Sequence, residues 1–281
     1  PRGFLSLVGA ILTEPCSPEA DYGVFYIDAL TYQPMCGAGT LSVAKALVET
    51  GMVKRVEPET KIVLETPTGL VAVYVKWENH TVASINLENV PAFLYRKDLH
   101  IDLAGYGDVS VDIGYGGNFF VLADVHSLGL TITKDTVNLL RSLSKDILAA
   151  ANKVIKVAHP TNPAINYLDQ VLFCQNVPEE DGGYLAQCIF GDAQADISPC
   201  GTGTSTRLAQ RYFRGLIGLE ETFVQKSVCG GAFHAKGLRE TTLGGVPAIV
   251  PYVSCSDVHI TGFNHLIVEE NDKLKNGFVS W

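Results

Sequence analysis

The sequence predicts an α+β protein built from two related halves, and three observations carry that prediction. Apolar and polar residues alternate through much of the first half, the period-2 signature of strands half-buried in a sheet. Apolar residues at helical spacing occur in only three stretches. A short motif also recurs: Met35-Cys36-Gly37-Ala38-Gly39-Thr40 in the first half is matched by Pro199-Cys200-Gly201-Thr202-Gly203-Thr204 in the second. A weaker echo pairs Gly116-Gly117-Asn118-Phe119 with Gly230-Gly231-Ala232-Phe233. These periods are too long for a solenoid, so one unit per half is the natural reading. The boundary is placed near Gly116 to Val125. Residues 1–120 then form a half carrying Cys36 and residues 121–281 a half carrying Cys200, with the final strand a candidate to return to the first half.

Taken in order, the opening Pro1 to Leu12 is apolar enough to resemble a signal sequence. It has neither an initiating Met nor a small-residue cleavage site, and it reads as a strand of the fold. Starting at Pro1 suggests that the chain lacks its natural N-terminus. Thr40 to Thr50 carries Leu41, Ala44, Leu47 and Val48 on one helical face and stops at Gly51, a good C-terminal signal. Strands follow at Lys61 to Glu65, Leu70 to Val75 and Thr81 to Ile85, punctuated by Thr68-Gly69 and Glu78-Asn79. Val109 to Ile113 and Asn118 to Ala123 add two more. Val137 to Val157 reads as a long amphipathic helix, and Thr204 to Tyr212 as a third helix ending near Gly215.

Composition narrows the function classes. With 47% hydrophobic and 18% charged residues, the chain is globular with an ample core. A net charge of -9 without clustered Lys and Arg argues against a nucleic-acid partner. No apolar run reaches the roughly 18 residues needed to span a bilayer. The seven cysteines are an odd number without an export signal, which suits reduced thiols in the cytoplasm. None shows zinc-ligand spacing, so no metal is expected.

Cys-Gly-x-Gly-Thr at a helix start has a direct physical reading. The glycines allow a tight turn and close approach of a ligand to the backbone. Free N–H groups and the helix dipole attract an anion such as a carboxylate, and the same field lowers the pKa of a cysteine placed there. Two copies in two matching halves suggest one ligand held between two helix ends, with a sulfur on each face. That arrangement suits inversion of an amino-acid α-carbon. One thiolate, at Cys36 or Cys200, removes the α-proton, and the opposite thiol returns a proton to the other face. No lysine motif suggests pyridoxal phosphate, so no cofactor is expected.

These residues resemble the proline racemase family, which includes proline racemases, 4-hydroxyproline 2-epimerases and 3-hydroxyproline dehydratases. The likeness runs from Pro1-Arg2-Gly3 to Asn276-Gly277-Phe278. It takes in Asn89 to Tyr95, Val111-Asp112-Ile113, Gly116 to Phe120, Asp196 to Ser205 and Gly218 to Phe223. The resemblance implies a diaminopimelate-epimerase-like fold: two pseudo-symmetric α/β domains, each a curved sheet around a central helix, with the site between them. It implies that Cys36 and Cys200 are the catalytic bases and that Gly37, Ala38, Gly201 and Thr202 hold the substrate carboxylate. Asp196 would accept from the ring nitrogen, and Phe190 would pack on the ring. Family members usually form dimers, so a homodimer is expected.

The chain departs from the family pattern in two places. Ala38 stands where most members have His, and Val8 stands where characterised proline racemases have Phe, leaving room for a ring hydroxyl. Asp196 has a plainer reading as the cap of a turn before Ser198-Pro199. His159 is read as structural, and Cys229 as buried and inert. The function expected is racemisation or epimerisation at C2 of proline or 4-hydroxyproline. Its rivals are dehydration of trans-3-hydroxyproline and non-catalytic amino-acid binding. Dehydratases of the family commonly replace the second cysteine with Thr, whereas this chain keeps Cys200.

Overall fold

The computed structural model describes residues 7–28, 31–177, 183–264, 267–273 and 275. The terminal family stretches Pro1-Arg2-Gly3 and Asn276-Gly277-Phe278, and the first six residues of the opening strand prediction, lie outside them. Strand β1 spans Gly9–Thr13, followed by β2 (Tyr22–Ile27) and the two-residue β3 (Tyr32–Gln33). Helix α1 (Gly37–Glu49) leads into β4 (Glu59–Thr66), β5 (Gly69–Glu78) and β6 (Thr81–Glu88). Alternation works here as expected. Thr60, Ile62, Leu64 and Thr66 of β4, with Val71, Val73, Val75 and Trp77 of β5, turn inward, while their neighbours are less buried. Asn79 and His80 take positive φ at the β5–β6 turn, where the Glu78-Asn79 signal lies.

The chain continues through β7 (Phe93–Leu103), β8 (Gly107–Tyr115) and β9 (Phe119–Asp124) to α2 (Val137–Val154). Then come β10 (Gln170–Cys174), β11 (Tyr184–Phe190), the short β12 (Gln194–Ala195) and α3 (Gly201–Phe213). Strands β13 (Phe223–Lys226), β14 (Ala232–Leu243) and β15 (Val246–Cys255) close the fold. The strands join in one hydrogen-bonded path, β1-β2-β4-β5-β6-β15-β14-β13-β11-β10-β9-β8-β7, with β3 on β2 and β12 on β11. Pairing is mostly antiparallel; β2–β4, β9–β10 and β11–β13 are parallel. This is an α+β fold in which sheet predominates. Late β15 pairs with early β6, Val253 opposite Leu87, and so closes the path across the middle. Strands β7 and β8 join β9 and β10 on the far side of that seam.

The three helices stand where the periodicity puts them, with shifted ends. Both α1 and α3 begin three residues earlier than Thr40 and Thr204, and α2 stops at Val154 rather than Val157. Leu41, Ala44, Leu47 and Val48 face the core from α1, which packs on β5 and β6. α3 is buried from Gly201 to Ala209 although its sequence is polar, and it packs between β7–β8 and β14–β15. Its hydroxyls are satisfied internally: Ser205 donates to the Gly201 carbonyl and Thr206 to the Thr202 carbonyl. The fully buried Arg207 guanidinium donates to the carbonyls of Leu185 and Gln175. Among the described residues, no helix is long and apolar enough to cross a membrane.

Candidate active site

Each repeated motif builds the same local structure. Cys36 is the N-cap of α1, and its sulfur accepts the Gly39 N–H at 3.3 Å. Cys200 is the N-cap of α3, and its sulfur accepts the Gly203 N–H, also at 3.3 Å. A thiol acting as cap explains why both helices start earlier than their apolar periodicity suggests. The two glycines of each motif have different tasks. A Cβ on Gly39 would lie 3.3 Å from the Cys36 sulfur and 2.9 Å from the Tyr26 ring, and one on Gly203 would lie 3.0 Å from the Cys200 sulfur. The second glycine therefore makes room for the capping sulfur. Gly37 and Gly201 instead bring the two helix starts together, each Cβ position lying 2.7 Å from the other's Cα. Helix packing, rather than ligand approach, sets the need for these first glycines.

The two caps are not equivalent. Cys36 has an ordinary extended backbone (φ -137, ψ 107), whereas Cys200 is held at φ 63, ψ 99. A non-glycine residue in such a region costs roughly 1–3 kcal/mol and persists only where its surroundings fix it. Here the Cys200 N–H donates to Ser198 Oγ at 3.0 Å, and Gln225 Nε2 donates to the Pro199 carbonyl at 2.8 Å. Asn118 ties the two motifs together, with its Nδ2 donating to the Met35 carbonyl at 2.8 Å and to Thr202 Oγ1 at 3.3 Å. Gly116 must be glycine for the same contact, since a Cβ there would lie 2.6 Å from the Thr202 carbonyl.

A cavity of about 470 Å³ opens between the helix starts. All the residues expected to form the site line it: Cys36, Gly37 and Ala38 from the α1 start, Cys200, Gly201 and Thr202 from the α3 start, and Asp196, Phe190 and Val8. Helix geometry leaves the N–H groups of Gly37, Gly201 and Thr202 without intrahelical acceptors. Phe190 is buried with Val8 packed against the same apolar cluster, which also contains Cys200. Asp196 does form the turn expected of it, with Oδ1 accepting the Ser198 N–H at 2.8 Å, and it lines the cavity as well. Burial raises its pKa against the lowering effect of that hydrogen bond.

The expectation of an acidified thiol fails at Cys36. Burial pushes this thiol up to about 12, and the Gly39 N–H only partly offsets it; the nearby Asp196 and Cys200 charges push the same way. Desolvation wins over the helix end. Cys229 is exposed rather than buried, and it lines a separate cavity beside Ala38 and Ser198. His159 is buried, with its ring 4.8 Å from that of Tyr115 and its Nδ1 accepting the Asn162 N–H, in keeping with a structural role.

Cys188, which no sequence motif singles out, also lines the cavity. Cys188 Sγ, a carboxylate oxygen of Asp196 and Cys200 Sγ all lie within 4.8 Å of one another. A hydrogen bond with Cys200, followed by burial, holds the Cys188 pKa well above its ordinary value. The Gly191-Asp192 turn marks only a hairpin in the sequence and says nothing of the approach to Cys200. The β11–β12 hairpin pairs Ile189 with Ala195, so Cys188 and Asp196 come next in register, and the Asp196 N–H donates to the Cys188 carbonyl at 3.0 Å. Asn118 was legible only as part of a Gly-Gly-Asn stretch.

Comparison with known proteins places this site in a family. The sequence profile of the proline racemase family matches residues 1–279. The chain is 38% identical over 280 residues to a trans-3-hydroxy-L-proline dehydratase of Burkholderia cenocepacia (strain HI2424), covering 99% of this chain and 83% of that one. It is 38% identical over 279 residues to a proline racemase of Clostridioides difficile, with the same coverage. The crystal structure of a hydroxyproline epimerase from Agrobacterium vitis, with trans-4-hydroxy-L-proline bound, superposes with a TM-score of 0.87 at 30% identity, over 96% of this chain and 77% of that one. With paired cysteine caps facing one cavity and a family match along nearly its whole length, the chain belongs to the proline racemase family, whose members among these relatives are racemases, epimerases and dehydratases.

Proposed function

We propose that this enzyme inverts C2 of proline or 4-hydroxyproline by a two-base mechanism in which Cys36 and Cys200 exchange the roles of base and acid. The observation that carries this reading is the pair of cysteine-capped helix ends lining a single cavity. A substrate carboxylate placed between the helices meets the first-turn N–H groups of Gly37, Ala38, Gly201 and Thr202. These donors strengthen their hold as the carboxylate takes on enolate character. Losing one such donor typically costs about 10²–10³ in rate. Asp196 accepts from the ring nitrogen, and Phe190 and Val8 pack against the ring. One sulfur takes the α-proton as thiolate while the other, as thiol, delivers a proton to the opposite face. The residues supply both proton transfers themselves, and the reading needs no cofactor.

Relatives named as racemase and as dehydratase are equally similar to this chain, so overall identity does not choose between those reactions. Cys200 favours inversion. Dehydration of trans-3-hydroxyproline needs one base and a leaving hydroxyl, and has no use for a second α-proton donor. We further infer a homodimer, as is usual in the family, and a reducing compartment such as the cytoplasm, which suits seven free thiols.

Proton NMR in deuterated water with proline, 4-hydroxyproline and trans-3-hydroxyproline tests the reading. The expected result is α-deuterium incorporation with formation of the C2 epimer of proline or 4-hydroxyproline, and little cyclic imine from the 3-hydroxy compound. Cys36→Ala and Cys200→Ala should each abolish inversion in both directions while Cys16→Ala leaves it intact. Normal turnover by Cys200→Ala, or rapid imine formation without any inversion, overturns it.

A further inference from the structure

We infer that Cys188, Asp196 and Cys200 form a three-ligand site for a thiophilic divalent cation, best matched by zinc. The three ligand atoms lie within 4.8 Å of one another. A tetrahedral zinc with sulfur at about 2.3 Å and carboxylate oxygen at about 2.1 Å places its ligand atoms roughly 3.5–3.8 Å apart, so modest inward rotation of the side chains completes the set. Two thiolates with one carboxylate select zinc or cobalt over magnesium or calcium, which favour all-oxygen shells.

The surroundings orient each ligand. The Gly203 N–H points at the Cys200 sulfur at 3.3 Å, and the Ser198 N–H holds Asp196 Oδ1 at 2.8 Å. Cys188 and Asp196 are locked in register by the hydrogen bond from the Asp196 N–H to the Cys188 carbonyl. Such outer contacts fix ligand orientation and raise affinity. A cation bound here takes each cysteine as thiolate, so binding releases thiol protons to solvent. Three protein ligands leave a fourth tetrahedral position for water or a substrate group.

The site itself does not depend on the proposed reaction, but its consequence does. If Cys200 transfers the α-proton, a metal on its sulfur stops turnover, and chelation restores it.

The test titrates the reduced full chain with Co²⁺ alone, followed by Zn²⁺ displacement against a chromophoric chelator. One equivalent should give thiolate-to-cobalt charge-transfer bands and the intense visible bands of a tetrahedral centre. Cys188→Ser, Cys188→Val and Asp196→Asn, each checked for a native melting transition, should weaken zinc by at least the roughly 10–100-fold that even outer-contact losses cost. Cys16→Ala and Cys229→Ala, which remove the exposed thiols, should change neither stoichiometry nor affinity. No thiolate band, or equal affinity in wild type and folded Cys188 variants, overturns the metal site whatever happens to turnover. Tight binding with the thiolate band but undiminished turnover supports the metal site and instead contradicts the role given to Cys200.

Discussion

Gly37 and Gly201 meet across the interface between the two cysteine-capped helices, and a Cβ on either would lie 2.7 Å from the Cα of the other. The contact is backbone against backbone, so no side-chain rotation relieves it. Gly37→Ala or Gly201→Ala must therefore push the helix starts apart. We expect a stability loss of about 1–3 kcal/mol from overpacking, larger than the roughly 1 kcal/mol that alanine gains over glycine inside a helix. The two sulfurs move with their helices, and kcat should fall about a hundredfold, the scale of a 1 Å misplacement. Denaturant melts and steady-state kinetics check both. Wild-type kcat in Gly201→Ala would show that sulfur spacing is not critical.

Cys36 should behave as an unactivated thiol in the ligand-free protein. Burial holds its pKa at about 12, so alkylation by iodoacetamide, read as mass at the Cys36 peptide, should rise about tenfold per pH unit through the alkaline range. A plateau below pH ~9 would mean that the helix end outweighs burial after all. The sign for stability follows. The folded chain keeps this proton while the unfolded chain releases it near the ordinary value of 9.0. The contribution is complete below that value and is lost as pH climbs toward about 12.

Val8 lines the cavity beside the cluster that holds Phe190 and Cys200. Val8→Phe should fill the space available to a ring substituent. We expect kcat/KM for trans-4-hydroxyproline to drop by about fivefold to tenfold more than for proline, the worth of about 1 kcal/mol. Equal losses on both substrates would place Val8 away from the ring.

Asp112 ties the far end of α3 to β8. It accepts from Arg214 Nε at 2.8 Å, from Arg214 Nη2 at 2.6 Å and from Gln210 Nε2 at 2.7 Å. Burial works to raise its pKa, but the Arg214 and Gln210 hydrogen bonds outweigh it and the net shift is downward. Its stabilisation is thus present above the ordinary carboxylate value of 3.8 and fades as pH falls through the lower folded value. Asp112→Ala removes these hydrogen bonds but leaves the partly exposed Arg214 its pairing with Asp98, and should cost about 1–3 kcal/mol near neutral pH. Acid melts should show a shallower pH dependence for the variant; identical acid limbs would mean that Asp112 is not among the controlling groups.

Local pattern by itself determined much of this protein. Period-2 alternation picked out the cores of β4 and β5, because a side chain's face in a strand depends only on its own parity. Helical spacing found α1, α2 and α3, and the doubled Cys-Gly-x-Gly-Thr motif pointed to two sulfurs at two helix starts. The family resemblance supplied Asp196, Phe190 and Val8, which no local pattern singles out. Tertiary structure decided what depends on distance between remote segments. The meeting of Gly37 with Gly201, the bridge from Asn118 to Met35 and Thr202, and the pairing of β15 with β6 join residues far apart in sequence. It also decided the electrostatics. A helix end lowers a thiol's pKa in isolation, but the desolvation that opposes it at Cys36 comes from everything packed around the cavity. Cys188 shows the same limit: its spacing from Cys200 suggests no metal ligand, and only the hairpin turn at Gly191 brings it beside Asp196 and Cys200.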